Sequence, residues 1–133
     1  MFAASLLSRF MSKPRHLHLG AAKRVLRYFM GTMEHGIRFE KNSKIEAKGY
    51  CDSDWAGSVD DMKSTSGYVF SLGSGVISWC SKKQDTVAQS SAEAEYLAAG
   101  LATQQSLWLR RILEDIGESK KKVCCFTVTI NQQ

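Results

Sequence analysis

A change in hydrophobic periodicity near residue 45 constrains the fold of this chain more than any other feature. Before it, residues 17–30 carry apolar side chains at helical spacing, and Gly31 is expected to end that helix. From Ile45 to Asp52, apolar and polar residues alternate, which is typical of a strand with one buried face. The sequence therefore predicts a helix, a linker or short hairpin over residues 31–45, and then a β-rich segment.

Two further strands and a long helix are predicted after Asp52. Residues 66–72 and 76–81 are rich in strand-forming residues, and the Gly-Ser-Gly link between them indicates a hairpin. About 26 residues rich in Ala, Leu, Glu and Gln then predict a helix with Ser90 or Ser91 as N-cap and Gly117 at its end. Residues 123–130 are a fourth strand candidate. The expected class is α/β (α+β): an N-terminal helix, three antiparallel strands, a long helix and a fourth strand.

The composition favours one globular domain that does not span a membrane. The chain has 133 residues, 44% of them hydrophobic. It has no apolar run approaching the ~18 residues of a membrane span. Its four cysteines show neither disulfide-framework nor zinc-ligand spacing, which favours a reducing compartment. We therefore expect an intracellular protein, cytoplasmic or nuclear, with no membrane partner.

The charges are divided between two parts of the chain. Basic residues outnumber acidic ones ten to three in residues 1–50, whereas acidic residues lead nine to five in residues 51–117. Lys23, Arg24 and Arg27 of the first part suit a nucleic-acid backbone, although a charged run is as often only a solvated face. The acidic part suits a bound cation.

Two pairs of acidic residues are candidates for that cation. Asp52 and Asp54 stand two apart at a strand end, so both carboxylates would share one face if the extended backbone continued. Glu93 and Glu95 are also two apart, but on a helix this spacing separates them by roughly 200°, so at most one faces the strand tip. Acidic residues near a helix start also interact favourably with the helix dipole, and the pairs alone leave the function open.

The motifs in this region resemble one family specifically. The strings DSDWAG, DDMKSTSGY, ISW and SSAEAEY are similar to those of the ribonuclease H domain in copia-type long-terminal-repeat retrotransposon polyproteins, which are abundant in plants. Residues 6–39 resemble the segment that connects the reverse transcriptase to that domain. The resemblance implies a connection segment over residues 1–44 and a ribonuclease H-like domain over residues 45–133.

The resemblance also implies an activity and a set of site residues. The family cuts the RNA strand of RNA–DNA hybrids with two Mg²⁺ or Mn²⁺ ions held by carboxylates. Carried over by motif, Asp52 is the first metal ligand and Glu95 the ligand from the helix, with Glu93 as the competing choice. Asp54, together with Asp60 or Asp61, is expected to support the metal ligands or to belong to a loop. The expected nucleic-acid contacts are Ser64, Thr65, Ser66 and Trp55.

Alternatives accompany several of these assignments. The three hydroxyl residues, Ser64, Thr65 and Ser66, suit a plain hairpin role equally well. Trp79 and Trp108 follow strand and helix patterns that favour packing in the core. Trp55 beside the acidic tip is the tryptophan expected to meet nucleic acid.

The chain departs from the family pattern near its end. Asn131 and Gln132 echo a family motif in which an aspartate supplies the third metal ligand, and no acidic residue follows Glu118. We therefore expect a domain truncated before its final strand and helices, with little or no nuclease activity and a tendency to associate. The alternatives are a non-catalytic nucleic-acid-binding remnant and a non-functional product. The expected partners are an RNA–DNA hybrid and the rest of a reverse transcriptase polyprotein.

Overall fold

The computed structural model describes residues 2–41, 46–117 and 127–130. Three helices and four strands lie in these ranges: α1 (Phe2–Ser8), α2 (His16–Gly31), β1 (Ala47–Ser53), β2 (Thr65–Leu72), β3 (Gly75–Lys83), α3 (Ser91–Asp115) and β4 (Thr127–Ile130). The first part of the predicted fourth strand, residues 123–126, lies outside the described residues, as do Asn131 and Gln132. None of the described helices is long and apolar enough to cross a membrane.

The chain divides into two compact units, residues 1–37 and residues 38–133. The first unit contains α1 and α2, neither of which has a buried residue among those described. Helix α2 confirms the predicted basic helix, whereas the short α1 was not predicted. His18 accepts a hydrogen bond from the Arg15 backbone N–H at 3.1 Å, and its ring stacks on Phe10. This histidine therefore organises the start of α2.

The second unit is a four-stranded sheet with α3 packed on it. The strand order is β3-β2-β1-β4. Strand β2 pairs antiparallel with both β1 and β3, whereas β4 pairs parallel with β1. The three antiparallel strands and the long helix confirm the prediction at the level of a mixed α/β fold.

Strand β1 has the predicted alternation of buried and exposed residues. Ala47, Gly49 and Cys51 are buried, and the residues between them are exposed. A side chain at Gly49 would collide with the ring of Phe70, which is completely buried on the neighbouring strand. Because Gly49 has no side chain, the Phe70 ring can pack against its backbone in the core.

Helix α3 meets the sheet through a stripe of small and medium apolar residues. Its buried residues are Ala94, Ala98, Ala102, Leu109 and Leu113. Alanines bring the helix close to the sheet because they have no side chain beyond Cβ. Leu109 and Ala102 complete the main core with Cys51 and Phe70.

The β2–β3 hairpin turns through two residues, with Leu72 paired to Gly75. Gly73 has a φ of 61°, the left-handed conformation that glycine adopts without steric cost. A side chain at Gly75 would collide with Phe39, and Ser74 Oγ accepts the Glu40 backbone N–H at 2.9 Å. The segment expected to be a linker therefore contacts the hairpin.

The prediction that Trp79 and Trp108 pack in the core is wrong. The side chains are 49% and 55% exposed, respectively. Trp79 follows Ser78, whose hydroxyl contacts Gln105 of α3, so Trp79 lies on the opposite face of the sheet. Trp108 precedes the buried Leu109 on α3, about 100° away around the helix axis.

Candidate functional site

Asp52 lies at the end of β1, where its side chain is exposed. Its backbone pairs across the sheet with Gly67, and its Oδ1 accepts the Ser53 backbone N–H at 2.9 Å. The carboxylate therefore stands at a strand end with one local hydrogen bond and remains open to solvent.

Glu95 lies in the second turn of helix α3 and is half-buried. The Cys51 thiol is buried, and burial is the main reason that its pKa lies above the ordinary value. The negative charges of Asp52 and then Glu95 raise the pKa of Cys51 further, because they disfavour a thiolate nearby. Asp52 of β1 and Glu95 of α3 thus both act electrostatically on one thiol, although they are 43 residues apart in sequence.

Glu93 has a different position at the start of α3. Ser90 is the N-cap, and its Oγ accepts the Glu93 backbone N–H at 3.1 Å. The Glu93 carboxylate in turn accepts the Gln89 backbone N–H at 2.7 Å. This reciprocal arrangement is similar to a capping box, in which two backbone donors at the helix start are satisfied. The Glu93 carboxylate is thus used to start the helix.

The extended backbone, on which the shared face of Asp52 and Asp54 depended, ends at Ser53, and Asp54 lies in the loop after β1. The Asp54 carboxylate instead accepts a very short hydrogen bond from the Thr65 backbone N–H. It also occupies the space that a side chain at Gly57 would need. Asp54 therefore shapes the loop between β1 and β2.

Asp61 anchors the other side of this loop. Its carboxylate lies 2.6 Å from Lys83 Nζ, and Lys83 also donates to Ser58 Oγ at 2.8 Å. Hydrogen bonds from Lys83 and then Ser58 lower the pKa of Asp61 to about 2. Asp60 is exposed.

Two of the predicted nucleic-acid contacts are buried. Ser64 is 0% and Ser66 3% exposed. Ser64 Oγ accepts the Ala56 backbone N–H, and Ser66 Oγ accepts from the Gln84 amide. Because these hydroxyls bond inside the protein, Ser64 and Ser66 are not available to a nucleic acid. Thr65 between them is half-buried.

Gln84 is a residue that the sequence analysis missed. It is 7% exposed and follows the last residue of β3. Its side-chain amide donates to Ser66 Oγ and to the Ala94 carbonyl, each at 2.9 Å. It therefore joins β2 to the start of α3, since Ala94 is the residue that precedes Glu95. No sequence pattern marks such a role, because a glutamine after a strand usually faces solvent.

Trp55 lies in the loop after β1, with 57% of its surface exposed. Its indole N–H donates to the Ala88 carbonyl at 3.2 Å. Ala88 belongs to the segment that leads into α3 and is itself buried. Trp55 thus combines an anchored N–H with an accessible ring.

Lys23, Arg24 and Arg27 belong to the first unit and are exposed on α2. Lys23 and Arg27 are four residues apart and Arg24 and Arg27 three, so their side chains are neighbours on the helix surface. Such a row is able to contact consecutive phosphates.

The described carboxylates do not form a complete metal site. Over the part of the chain that the structure describes, no three His, Cys, Asp or Glu side chains converge. Asp52 and Glu95 are two oxygen donors, which suits one Mg²⁺ ion that keeps several waters. The position of the third ligand in the family pattern, near Asn131 and Gln132, lies outside the described residues.

Sequence comparison shows that the chain is similar to Pol polyproteins of plant transposons. The chain is 44% identical over 116 residues to a retrovirus-related Pol polyprotein from transposon RE1 of Arabidopsis thaliana, matching 87% of this chain and 8% of that protein. It is 42% identical over 120 residues to the retrovirus-related Pol polyprotein from transposon TNT 1-94 of Nicotiana tabacum, matching 90% of this chain and 9% of that protein. The chain thus spans less than a tenth of the length of these Pol relatives.

A third relative is much shorter. The chain is 50% identical over 107 residues to secreted RxLR effector protein 161 of Plasmopara viticola, matching 80% of this chain and 75% of that protein. No family model matches the chain, and no solved structure matches it.

Proposed function

Because the chain belongs to the family that includes secreted RxLR effector protein 161 and this segment of the retrovirus-related Pol polyproteins, we propose that it is a copia-type ribonuclease H-like domain. Its substrate would be an RNA–DNA hybrid, and its reaction would be metal-dependent hydrolysis of the RNA strand. The basic first unit would be the connection from the reverse transcriptase.

One observation carries this proposal: Asp52 stands at the end of β1, and Glu95 lies in the second turn of α3, the helix that packs on the sheet through Cys51 and Phe70. Two carboxylates at one site would repel each other, and a divalent cation would compensate their charge. The observed order of three antiparallel strands, a long helix and a strand parallel to β1 further supports the proposal.

The geometry favours Glu95 over Glu93 as the second ligand. The Glu93 carboxylate accepts the Gln89 backbone N–H. If Glu93 bound a metal ion instead, this hydrogen bond would be lost and the start of α3 would be weakened. Glu95 does not have that role, and it is half-buried in the second turn of α3. In this proposal Asp52 and Glu95 bind the ion, and Glu93 holds the helix in position.

A divalent ion at this site would supply an activated water and stabilise charge on the phosphate oxygens. Asp52 and Glu95 would orient it, and the Gln84 bridge to Ala94 would keep the first turns of α3 against the sheet. Two carboxylates hold two Mg²⁺ ions poorly, since Mg²⁺ prefers a complete octahedron of oxygen ligands. We therefore expect slow cleavage or none from this 133-residue chain.

The test measures release of labelled RNA from an RNA–DNA hybrid in Mg²⁺ and in Mn²⁺, alongside Mn²⁺ binding to the protein. Asp52→Asn and Glu95→Gln should each weaken Mn²⁺ binding at least tenfold and abolish any cleavage. Glu93→Gln is the matched control, since glutamine retains the capping interaction. Equal Mn²⁺ affinity in all four proteins would overturn the proposed site.

A second candidate function is nucleic-acid binding without catalysis. This function is favoured by the exposed cations of α2 and by the absence, within the described ranges, of three converging metal-ligand side chains. The affinity of the wild-type chain for an RNA–DNA hybrid should fall steeply as the salt concentration rises. In a variant with Lys23, Arg24 and Arg27 changed to Gln, the affinity should fall more gently. Both results together would support this function. Salt-independent or absent binding would exclude both candidates.

A further inference from the structure

Trp55 is held in place from both sides although its ring is exposed. The preceding residue, Asp54, donates its backbone N–H to the Thr65 carbonyl at 3.2 Å and accepts the Thr65 N–H with its carboxylate. The following residue, Ala56, donates its N–H to the buried Ser64 hydroxyl at 3.1 Å. The indole N–H is held by Ala88. These hydrogen bonds fix the position of the exposed ring.

The backbone next to Trp55 adopts an unfavourable conformation. Ala56 has a φ of 53°, in the left-handed region that residues with a Cβ rarely adopt. Glycine would avoid this cost, yet the neighbouring hydrogen bonds hold an alanine there. Observed strain of this kind is commonly found where a side chain must be aimed at a ligand.

Trp55 also links the segment that follows β1, the strand of Asp52, to the segment that precedes α3, the helix of Glu95. It stands three residues after Asp52, and the Ala88 carbonyl that it contacts stands seven residues before Glu95. The indole thus spans from the β1–β2 loop to the segment that enters α3. The exposed ring therefore lies beside the end of β1, where Asp52 stands.

We propose that Trp55 is a stacking platform for a nucleobase of the strand bound at Asp52 and Glu95, an inference that rests on the proposed function. The indole offers a flat apolar face, and every nucleobase has a matching π-face, so the contact would not depend on base identity. With its N–H satisfied by Ala88, the ring can bind through its face without leaving a polar group unpaired.

This placement gives Trp55 a positioning role. A base stacked on the fixed ring would restrict where the adjoining phosphate lies relative to the two carboxylates. The ring would act on binding and register, and it would not exchange protons with the substrate.

The experiment measures the affinity of the full chain for a labelled RNA–DNA hybrid of mixed sequence. Trp55→Leu keeps an apolar side chain but removes the aromatic face, and should weaken binding about tenfold or more. Trp55→Phe keeps a ring and loses the hydrogen bond to Ala88, and should lose clearly less affinity. Trp108→Leu is the control, since Trp108 is similarly exposed but lies 13 residues beyond Glu95 on α3.

Fluorescence provides a second measurement that does not depend on how well Trp55→Leu folds. In a chain whose Trp79 and Trp108 are replaced by Phe, hybrid binding should quench the emission of Trp55. Equal affinity of the wild type and Trp55→Leu, or an emission unchanged at saturating hybrid, would overturn the stacking role while leaving the proposed function intact. A wild-type chain that binds no hybrid would instead contradict the proposed function.

Discussion

The Lys83 ammonium lies 2.6 Å from an oxygen of the Asp61 carboxylate and so joins the β1–β2 loop to the last residue of β3. The same ammonium donates to Ser58 in that loop. These contacts hold the far side of the loop that carries Trp55, while Asp54 holds the near side through Thr65.

The Asp61–Lys83 pair should make stability depend on pH in the acid range. The pKa of Asp61 is lowered from 3.8 to about 2, so its ionised form favours the folded state. The contribution is fully present above about pH 4 and is lost as the pH falls toward 2. The free energy of unfolding of the wild type should therefore exceed that of Asp61→Asn at pH 6, with the difference shrinking below pH 4. A difference independent of pH would contradict this assignment.

Two glycine substitutions should have opposite effects on stability. Gly49→Ala places a methyl group against the buried ring of Phe70 and should lower the free energy of unfolding by about 1–3 kcal/mol. Gly100→Ala meets nothing within 4 Å on α3 and should raise it by up to ~1 kcal/mol through helix propensity. Urea unfolding of the two variants measures both effects, and a stable Gly49→Ala variant would refute the close approach to Phe70.

Removal of the N-cap hydroxyl should weaken the start of α3. Ser90→Ala leaves the Glu93 backbone N–H without its partner and should cost about 1 kcal/mol. Ser91→Ala changes the adjacent serine, which is the first residue of the helix and not its cap, and should change stability much less. Thermal unfolding of both variants tests whether Ser90 is the capping residue.

The pKa of the Cys51 thiol measures the electrostatic influence of the Asp52 and Glu95 carboxylates on that thiol. In a chain whose Cys80, Cys124 and Cys125 are replaced by Ala, thiolate absorbance followed against pH gives the pKa of Cys51. Asp52→Asn and Glu95→Gln should each lower that pKa, because each removes a negative charge that opposes the thiolate. Glu93→Gln should leave it unchanged. An equal response to Glu93→Gln and Glu95→Gln would show that Glu95 has no special proximity to β1.

Local patterns in the sequence were sufficient for the element order from α2 onward and for several boundaries. The alternation before Asp52 predicted which residues of β1 are buried, and Ser90 was one of two predicted caps for α3. These features depend on residues near one another in the chain, whose periodicity and hydrogen-bonding capacity can be read directly. The basic helix α2 was predicted for the same reason.

Local sequence patterns thus identified the strands, the long helix and the short set of carboxylates from which a site can be built. Packing set how those residues are used: Glu93 at the helix start, Glu95 half-buried on α3, and Asp54 turned into its loop. The same packing buries Ser64 and Ser66 and leaves Trp79 exposed. Contacts such as Asp54 with Thr65 and Ser66 with Gln84 join residues far apart in the chain, and a long-range contact leaves no periodic signal in the sequence.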